Sequence, residues 1–386
     1  SLIVDGALAG VGGVMAFLPQ IVLLFFFVAI LDDCGYMARA AFLTDRIFRA
    51  IGLSGHSFIP MLSSFACAVP GILATRTIGN ARDRITTILM APFMSCSARI
   101  PVYSLMIAAF FPRKMIAGFL PLQGVVFGSM YFVGIFVAIP AAMVLRRTLL
   151  RGPASTFVME LPPYKVPSPR SVAIRIFDRG RTFVRQAGTI IFAMSIVVWA
   201  LGYFPHPPEI ARTYDPLRFE ARVSLDGGAR DARLRDLDRE EAGAYMRSSL
   251  LGRAGRLVEP VVKPLGWDWK IGMATMASFP AREVIVSTLN IIFDLGTEAG
   301  NPHEREALIG KLSAARWPDG SRVFTVPVAL SVMVFFALCC QCGATLAAIK
   351  RETNSWRWTA FTLTSMTVIA YLGAFAAYRI GSALLA

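Results

Sequence analysis

The stretch HSFIPMLSSFACAVPGILATRTIGNARDRITTILMAPFMSCSARIP (His56–Pro101) decides how the rest of this chain is read. It is apolar enough for a bilayer, yet it is interrupted at two polar, cysteine-bearing points, ACAVPG (66–71) and SCSARIP (95–101). In hydrocarbon every backbone N–H and C=O needs an internal partner, so irregular backbone at membrane depth survives only against protein or a water-filled cavity. Pro70 and Pro101 each remove a donor and push the residue before them out of helical geometry. Carbonyls freed beside Cys67 and Cys96 are the material of a midplane transport site. The plainer reading is a pair of proline-kinked spans with packing cysteines.

Working outward, 55% of the 386 residues are hydrophobic and 17% are charged, below the roughly 25% charged of soluble domains. Ile21–Leu31 and Val326–Cys340 belong to segments near the ~20 apolar residues that cross a bilayer. The expected class is an all-α polytopic membrane protein with about seven spans plus hairpin elements, in contact with the lipid bilayer. The net charge of +14 is explained by basic loops kept on the cytoplasmic side, and no nucleic-acid motif competes with that explanation. The six cysteines (34, 67, 96, 339, 340, 342) lie in or beside apolar segments and read as free thiols. The first residues lack a basic n-region and a cleavage site, and no GxxxxGK[ST] loop is present.

Three regions are expected. Residues 1–145 carry the first broken-helix repeat. Residues 146–186 form a linker with nine Arg and Lys against Glu160 and Asp178, and its bias places it in the cytoplasm. Residues 187–386 carry a second repeat, interrupted by a charged helical insertion at 205–266 and a loop at 294–325. Between the repeats the likeness is weak. GLSGHSFIPMLSSFACAVPGILAT (52–75) aligns with PLGWDWKIGMATMASFPAREVIVS (264–287), and APFMSCSARIP (91–101) with ALCCQCGATLA (337–347), pairing Cys96 with Cys342. Their shared order suggests inverted halves that meet at the bilayer centre.

Thiolates suit soft or borderline metals such as ferrous iron, copper(I) and zinc. Cys67, Cys96 and Cys342 are therefore candidate metal ligands, while Met94, Ser95 and Ser97 flank Cys96 and could add weak ligands or orient water. Arg99 lies close by. Ala66, Pro70, Gly71, Pro101 and Pro280 shape the breaks. Glu283 is an ionisable group in an apolar segment, a functional candidate by default, with Arg282 as its expected neighbour; a structural Arg–Glu pair is the other reading. Asp32 and Asp33 are either a solvated helix end or a carboxylate ring at the inner mouth of a cation path. Cys34, Cys339 and Cys340 read as packing residues. No Ser-His-Asp set, H-E-x-x-H or paired catalytic carboxylates occur, and the chain is read as a transport domain rather than an enzyme.

Six ordered motifs then carry a resemblance: DDCGYMARAAFLTDRIFRAIGLSGHSFIPML (32–62), ACAVPGILATRT (66–77), RDRITTILMAPFMSCSARIPVY (82–103), FVMELPPYKVPSPRS (157–171), PAREVIVSTLN (280–290) and CGATLAAIKRETNSW (342–356). Together they resemble the membrane domain of FeoB-type ferrous iron transporters. The resemblance implies Fe²⁺ as substrate and a multi-pass protein of the prokaryotic inner membrane, with two gate regions related to nucleoside-transporter halves. It also implies an N-terminal GTPase domain, in cis or as a separate subunit, on which GTP and Mg²⁺ would act. A small FeoA-like partner and a homo-oligomer are further expected partners. On the matching motifs, Cys67, Cys96 and Cys342 stand at the family's proposed iron ligands and Glu283 at its intramembrane glutamate. The first gate of the family reads G-C-N-V-P; Ala66 and Ala68 stand here for the glycine and asparagine, which removes an amide. Two rivals are a nucleoside or other organic-solute carrier with the same gates, and a non-transporting scaffold for a GTPase.

Overall fold

In the computed structural model the described residues are 9–112, 114–116, 120–152, 163–224, 227–280, 282, 284–293, 302–317 and 319–385. Most of them are helical; the extended pairings among them are a two-residue ladder of Met115–Ile116 with Leu120–Pro121 and an isolated bridge between Arg316 and Arg322. The chain opens with α1 (Ala9–Asp33) and α2 (Tyr36–Ile51), separated by Gly35 at φ 82°. A hairpin of two half-helices comes next, α3 (Phe58–Ser64) and α4 (Ala68–Ala74), and then a broken span made of α5 (Ala81–Met90) and α6 (Ile100–Phe110). The unbroken α7 (Leu122–Thr148) leads to α8 (Pro169–Phe183), a π-helical turn at Val184–Gly188, and α9 (Thr189–Tyr203). Three helices fill the charged stretch, α10 (Pro208–Ser224), α11 (Gly227–Ser248) and α12 (Leu250–Val262).

The second half repeats the plan of the first. α13 (Trp269–Ala277), against which α12 packs, and α14 (Val284–Ile292) make another pair of half-helices, and α15 (Pro302–Ala314) intervenes. Then α16 (Val326–Leu338) and α17 (Gly343–Thr353) make another broken span before the long α18 (Trp356–Leu385). Four helical runs among the described residues are long and apolar enough to cross a membrane: the broken spans 81–110 and 326–353, α7 and α18. The bent pair α9 and α10, at 76°, raises the number to five. The expectation is about seven spans with the hairpins in addition; the half-helices of the hairpins, seven to nine residues long, are each too short to cross alone.

The prolines do not break these helices in the way expected. Pro70 is the third residue of α4 and Pro101 the second of α6. In a first turn the missing N–H has no intrahelical partner to lose, so proline there begins a helix. The breaks lie just before them, at residues 65–67 and 94–96.

Two apolar clusters hold the bundle. The larger joins α6, α7, α13, α14, α16 and α18 around Trp267, Phe324 and Phe336. The Trp267 indole N–H donates to Ser331 Oγ at 3.1 Å. The smaller gathers Phe25, Val69, Ile72, Ile88, Phe183, Ala344 and Ile349, residues from both halves, and Cys67 and Cys342 pack at its edge.

Close packing of the first hairpin depends on Gly71. A Cβ there would fall onto Ser64 Oγ and within 2.7 Å of the Pro60 carbonyl oxygen, the acceptor of Ser64's own hydroxyl at 2.7 Å. Gly71→Ala should therefore lower stability by about 1–3 kcal/mol, the usual range for overpacking. Thermal unfolding in detergent measures this, and Ser64→Ala should recover part of the loss in the double variant. Equal melting of Gly71→Ala and the parent would contradict the close approach of α3 and α4.

Candidate functional site

The three sequence-predicted thiols meet at one place, and each arrives by the same local device. Cys67 is the extended residue before α4 (φ −156°, ψ 133°) and Cys342 the extended residue before α17 (φ −155°, ψ 105°). Cys96, also extended (φ −88°, ψ 161°), precedes the short 3₁₀ turn Ser97–Arg99 that feeds α6. An extended residue at a helix start turns its side chain out of the helical stack, and here all three turn into a common cavity. That cavity has a volume of ≈ 90 Å³ and is lined by Cys67, Cys96, Ser97, Cys342 and Thr345 among apolar neighbours that include Met94 and Phe183. The thiols are half-buried and free. Among the described residues no three His, Cys, Asp or Glu side chains form a ready-made metal cage. The sulfurs line one space.

Two buried arginines keep the breaks open. Arg99, fully buried, donates from Nη2 to the Pro92 carbonyl at 2.9 Å and from Nη1 to Ser95 Oγ at 3.1 Å, with a longer bond to the Phe93 carbonyl at 3.4 Å. Arg282 reaches across from the second hairpin: Nη1 donates to the Phe336 carbonyl at 3.0 Å and Nη2 to the Cys339 carbonyl at 2.7 Å. These are the end carbonyls of α16, left without intrahelical donors where that helix stops. Among the described residues both arginines serve interrupted backbone, because a guanidinium fork can satisfy two carbonyls at once. The Gly343 N–H adds a bond to the Phe279 carbonyl at 3.1 Å, which ties the start of α17 to the second hairpin.

The other predicted residues are placed differently from one another. Met94, Ser97, Ala66, Pro280 and Arg282 line the thiol cavity with the three cysteines. Ser95 does not line it: its buried hydroxyl accepts from Arg99, so it supports the break rather than facing an ion. Glu283 lies outside the described residues. Cys339 and Cys340 are fully buried in the larger cluster, and Cys34 Sγ donates to the Leu31 carbonyl at 3.3 Å.

Asp32 and Asp33 are held at the basic side of the molecule, where α8 runs beside α1. Asp32 takes Arg175 at 2.6 Å, and Asp33 accepts the Ser168 N–H at 2.8 Å with Lys165 at 3.5 Å. The Ser168 N–H first, and then the nearby Lys165 and Arg175, hold the Asp33 carboxyl below the usual carboxylate range. Neither aspartate is an open ring carboxylate; both clamp α8 and the segment before it. A second clamp joins the halves. Glu352, nearly buried at the end of α17, receives Arg76 at 2.6 Å and Arg84 at 2.8 Å from the end of the first hairpin and from α5.

Two contributors were not singled out from the sequence. Thr345 stands three residues after Cys342, one turn along α17, and that spacing could have been read. Glu352 gives no such signal, since its partners lie 276 and 268 residues away.

The Gate family, described as nucleoside recognition, matches residues 14–110 and 184–356, together more than half of the chain. The family described as ferrous iron transport protein B C terminus matches residues 127–179. The chain is 42% identical over 380 residues to the Fe(2+) transporter FeoB of Leptospira interrogans serogroup Icterohaemorrhagiae serovar copenhageni, covering 98% of this chain and 51% of that protein. It is 39% identical over 382 residues to the Fe(2+) transporter FeoB of Staphylococcus aureus strain MSSA476, covering 98% and 49%. A Porphyromonas gingivalis protein, named as a fusion of Fe(2+) transport protein A with Fe(2+) transporter FeoB, is 39% identical over 381 residues, covering 98% and 44%. The chain thus spans about half the length of the curated relatives it matches, and no solved structure matches it. These matches place the chain in the Gate family, with similarity to FeoB proteins over about half of their length.

Proposed function

We propose that this chain is the permease part of a ferrous iron uptake system of the prokaryotic inner membrane, with Cys67, Cys96 and Cys342 as the ligands that receive Fe²⁺. The observation that carries the reading is the convergence of three thiols, from three distant parts of the chain, on one cavity at interrupted helices. Sulfur ligands favour a borderline metal over magnesium, which wants oxygen. A space of ≈ 90 Å³ holds an ion with a few waters, and its polar lining is thiol, hydroxyl and guanidinium. A nucleoside would need amide and carboxylate partners for its base and ribose, so the organic-solute reading is the weaker one. GTP hydrolysis on a separate domain would bias the gates between their states, and it can do so only through a difference in affinity for those states. A FeoA-like protein is a further partner on this reading, supported by the name of the fusion relative.

The test is uptake of radiolabelled Fe²⁺ into proteoliposomes carrying the protein at its natural length, with GTP supplied. Metal-dependent flux that Zn²⁺ competes with and uridine does not is the expected result. Binding of uridine without Fe²⁺ flux would overturn the proposal.

A further inference from the structure

The thiol cavity has a neighbouring space. On the side facing α8 it shares Val69 and Phe183 with a very small cavity of ≈ 10 Å³, which is also bounded by Phe25 and Arg179. That small space in turn shares Phe25, Pro70 and Arg179 with a larger one of ≈ 440 Å³, bounded at its far end by Asp32, His56 and Arg175. The three spaces succeed one another along α4, from the sulfur of Cys67 to the carboxylate of Asp32. The middle one is at the limit of what a single water occupies, and its walls at Phe25, Val69 and Phe183 are 9%, 4% and 6% exposed. Arg179 and Thr182 complete its lining beside these apolar residues, and a space of this size admits no hydrated cation.

Resting on the iron reading, we propose that Phe183 and Phe25 form the inner gate of the metal route, and that Fe²⁺ leaves the thiols along α4 into the vestibule at Asp32. Phe183 is the last residue of α8, directly before the π-helical turn Val184–Gly188. Such turns insert an extra residue into a helix and recur at functional sites. A relaxation of this turn would rotate the end of α8 and swing the Phe183 ring. Meanwhile α8 stays attached to α1 by Arg175 on Asp32 and by Ser168 on Asp33. The vestibule's charges do not block a cation: Asp32 neutralises Arg175, and Arg179 is exposed to solvent, where its field is screened. The simpler reading treats both rings as packing in the smaller apolar cluster. Packing alone, however, does not require open space on the thiol side of Phe183 and on the vestibule side of Phe25.

The test reads access to Cys67 rather than transport. Membrane vesicles carrying the protein at its natural length are treated with a membrane-impermeant methanethiosulfonate from the α8 side, and modification of each cysteine is tracked by mass spectrometry. Phe183→Ala should speed modification of Cys67 at least roughly tenfold, as when a barrier drops by about 1.4 kcal/mol. Phe183→Trp should leave it at or below the parent rate, and Cys339 and Cys340, buried in the other cluster, should stay unmodified in both. An unchanged Cys67 rate in Phe183→Ala overturns the gate. So does joint exposure of Cys67 with Cys339 and Cys340, because the ring would then be packing whose loss loosens the bundle. If Fe²⁺ fails to protect Cys67 while Phe183→Ala still opens it, the gate stands and the iron reading falls.

Discussion

Cells that depend on this protein for ferrous iron should take up Fe²⁺ at least roughly tenfold more slowly with Cys96→Ser, the effect of losing a contact worth about 1.4 kcal/mol. The substitution exchanges sulfur for oxygen at nearly constant shape, so the break keeps its backbone while the soft ligand is lost. Cys96 is the informative choice of the three. It enters from the broken span between α5 and α6, and Arg99 holds the carbonyls just before it, so a serine there should disturb little else. Cys339→Ser is the matched control, buried away from the cavity. Unaltered uptake in Cys96→Ser, with normal amounts of protein in the membrane, removes this residue from the route.

Arg282→Met should be more damaging still. It withdraws both donors from the Phe336 and Cys339 carbonyls, and each buried acceptor left without a partner costs about 1–3 kcal/mol. Shedding a buried charge offsets part of that cost, so the heaviest loss is expected at the break itself. The end of α16 would seek donors by extending through 339–342, which would carry Cys342 off the cavity wall. Uptake should fall further than in Cys96→Ser, and thermal unfolding in detergent should begin earlier. Arg282→Lys separates the two effects: a single ammonium restores charge and one donor direction but not the planar fork, and should recover stability more than uptake. Full uptake in Arg282→Met would mean that the carbonyl latch does not position the site.

The clamp of Arg76 and Arg84 on Glu352 and the latch of Arg282 on α16 share a property: each joins elements that the chain order keeps far apart. With Gly343 bonded to Phe279, they make the thiol cavity a seam between the two halves rather than a pocket within one.

Much of this protein could be read directly from the residues, because the bilayer leaves so few options. Apolar length required helices, and the interruptions of the apolar stretches marked where Cys67, Cys96 and Cys342 leave helical backbone. Helical starts at Pro70 and Pro101 were within reach too, had the first-turn preference of proline been weighed above its reputation as a breaker. What the linear chain could not express is pairing between remote groups. A guanidinium has no preferred partner written beside it: the two donors of Arg282 that reach Phe336 and Cys339 find carbonyls left over only because α16 stops at Leu338. Ser95 likewise reads as a ligand beside Cys96 until Arg99 is seen to occupy its oxygen. Local sequence determined which atoms had to be satisfied, and only the packed tertiary structure decided which distant atoms would satisfy them.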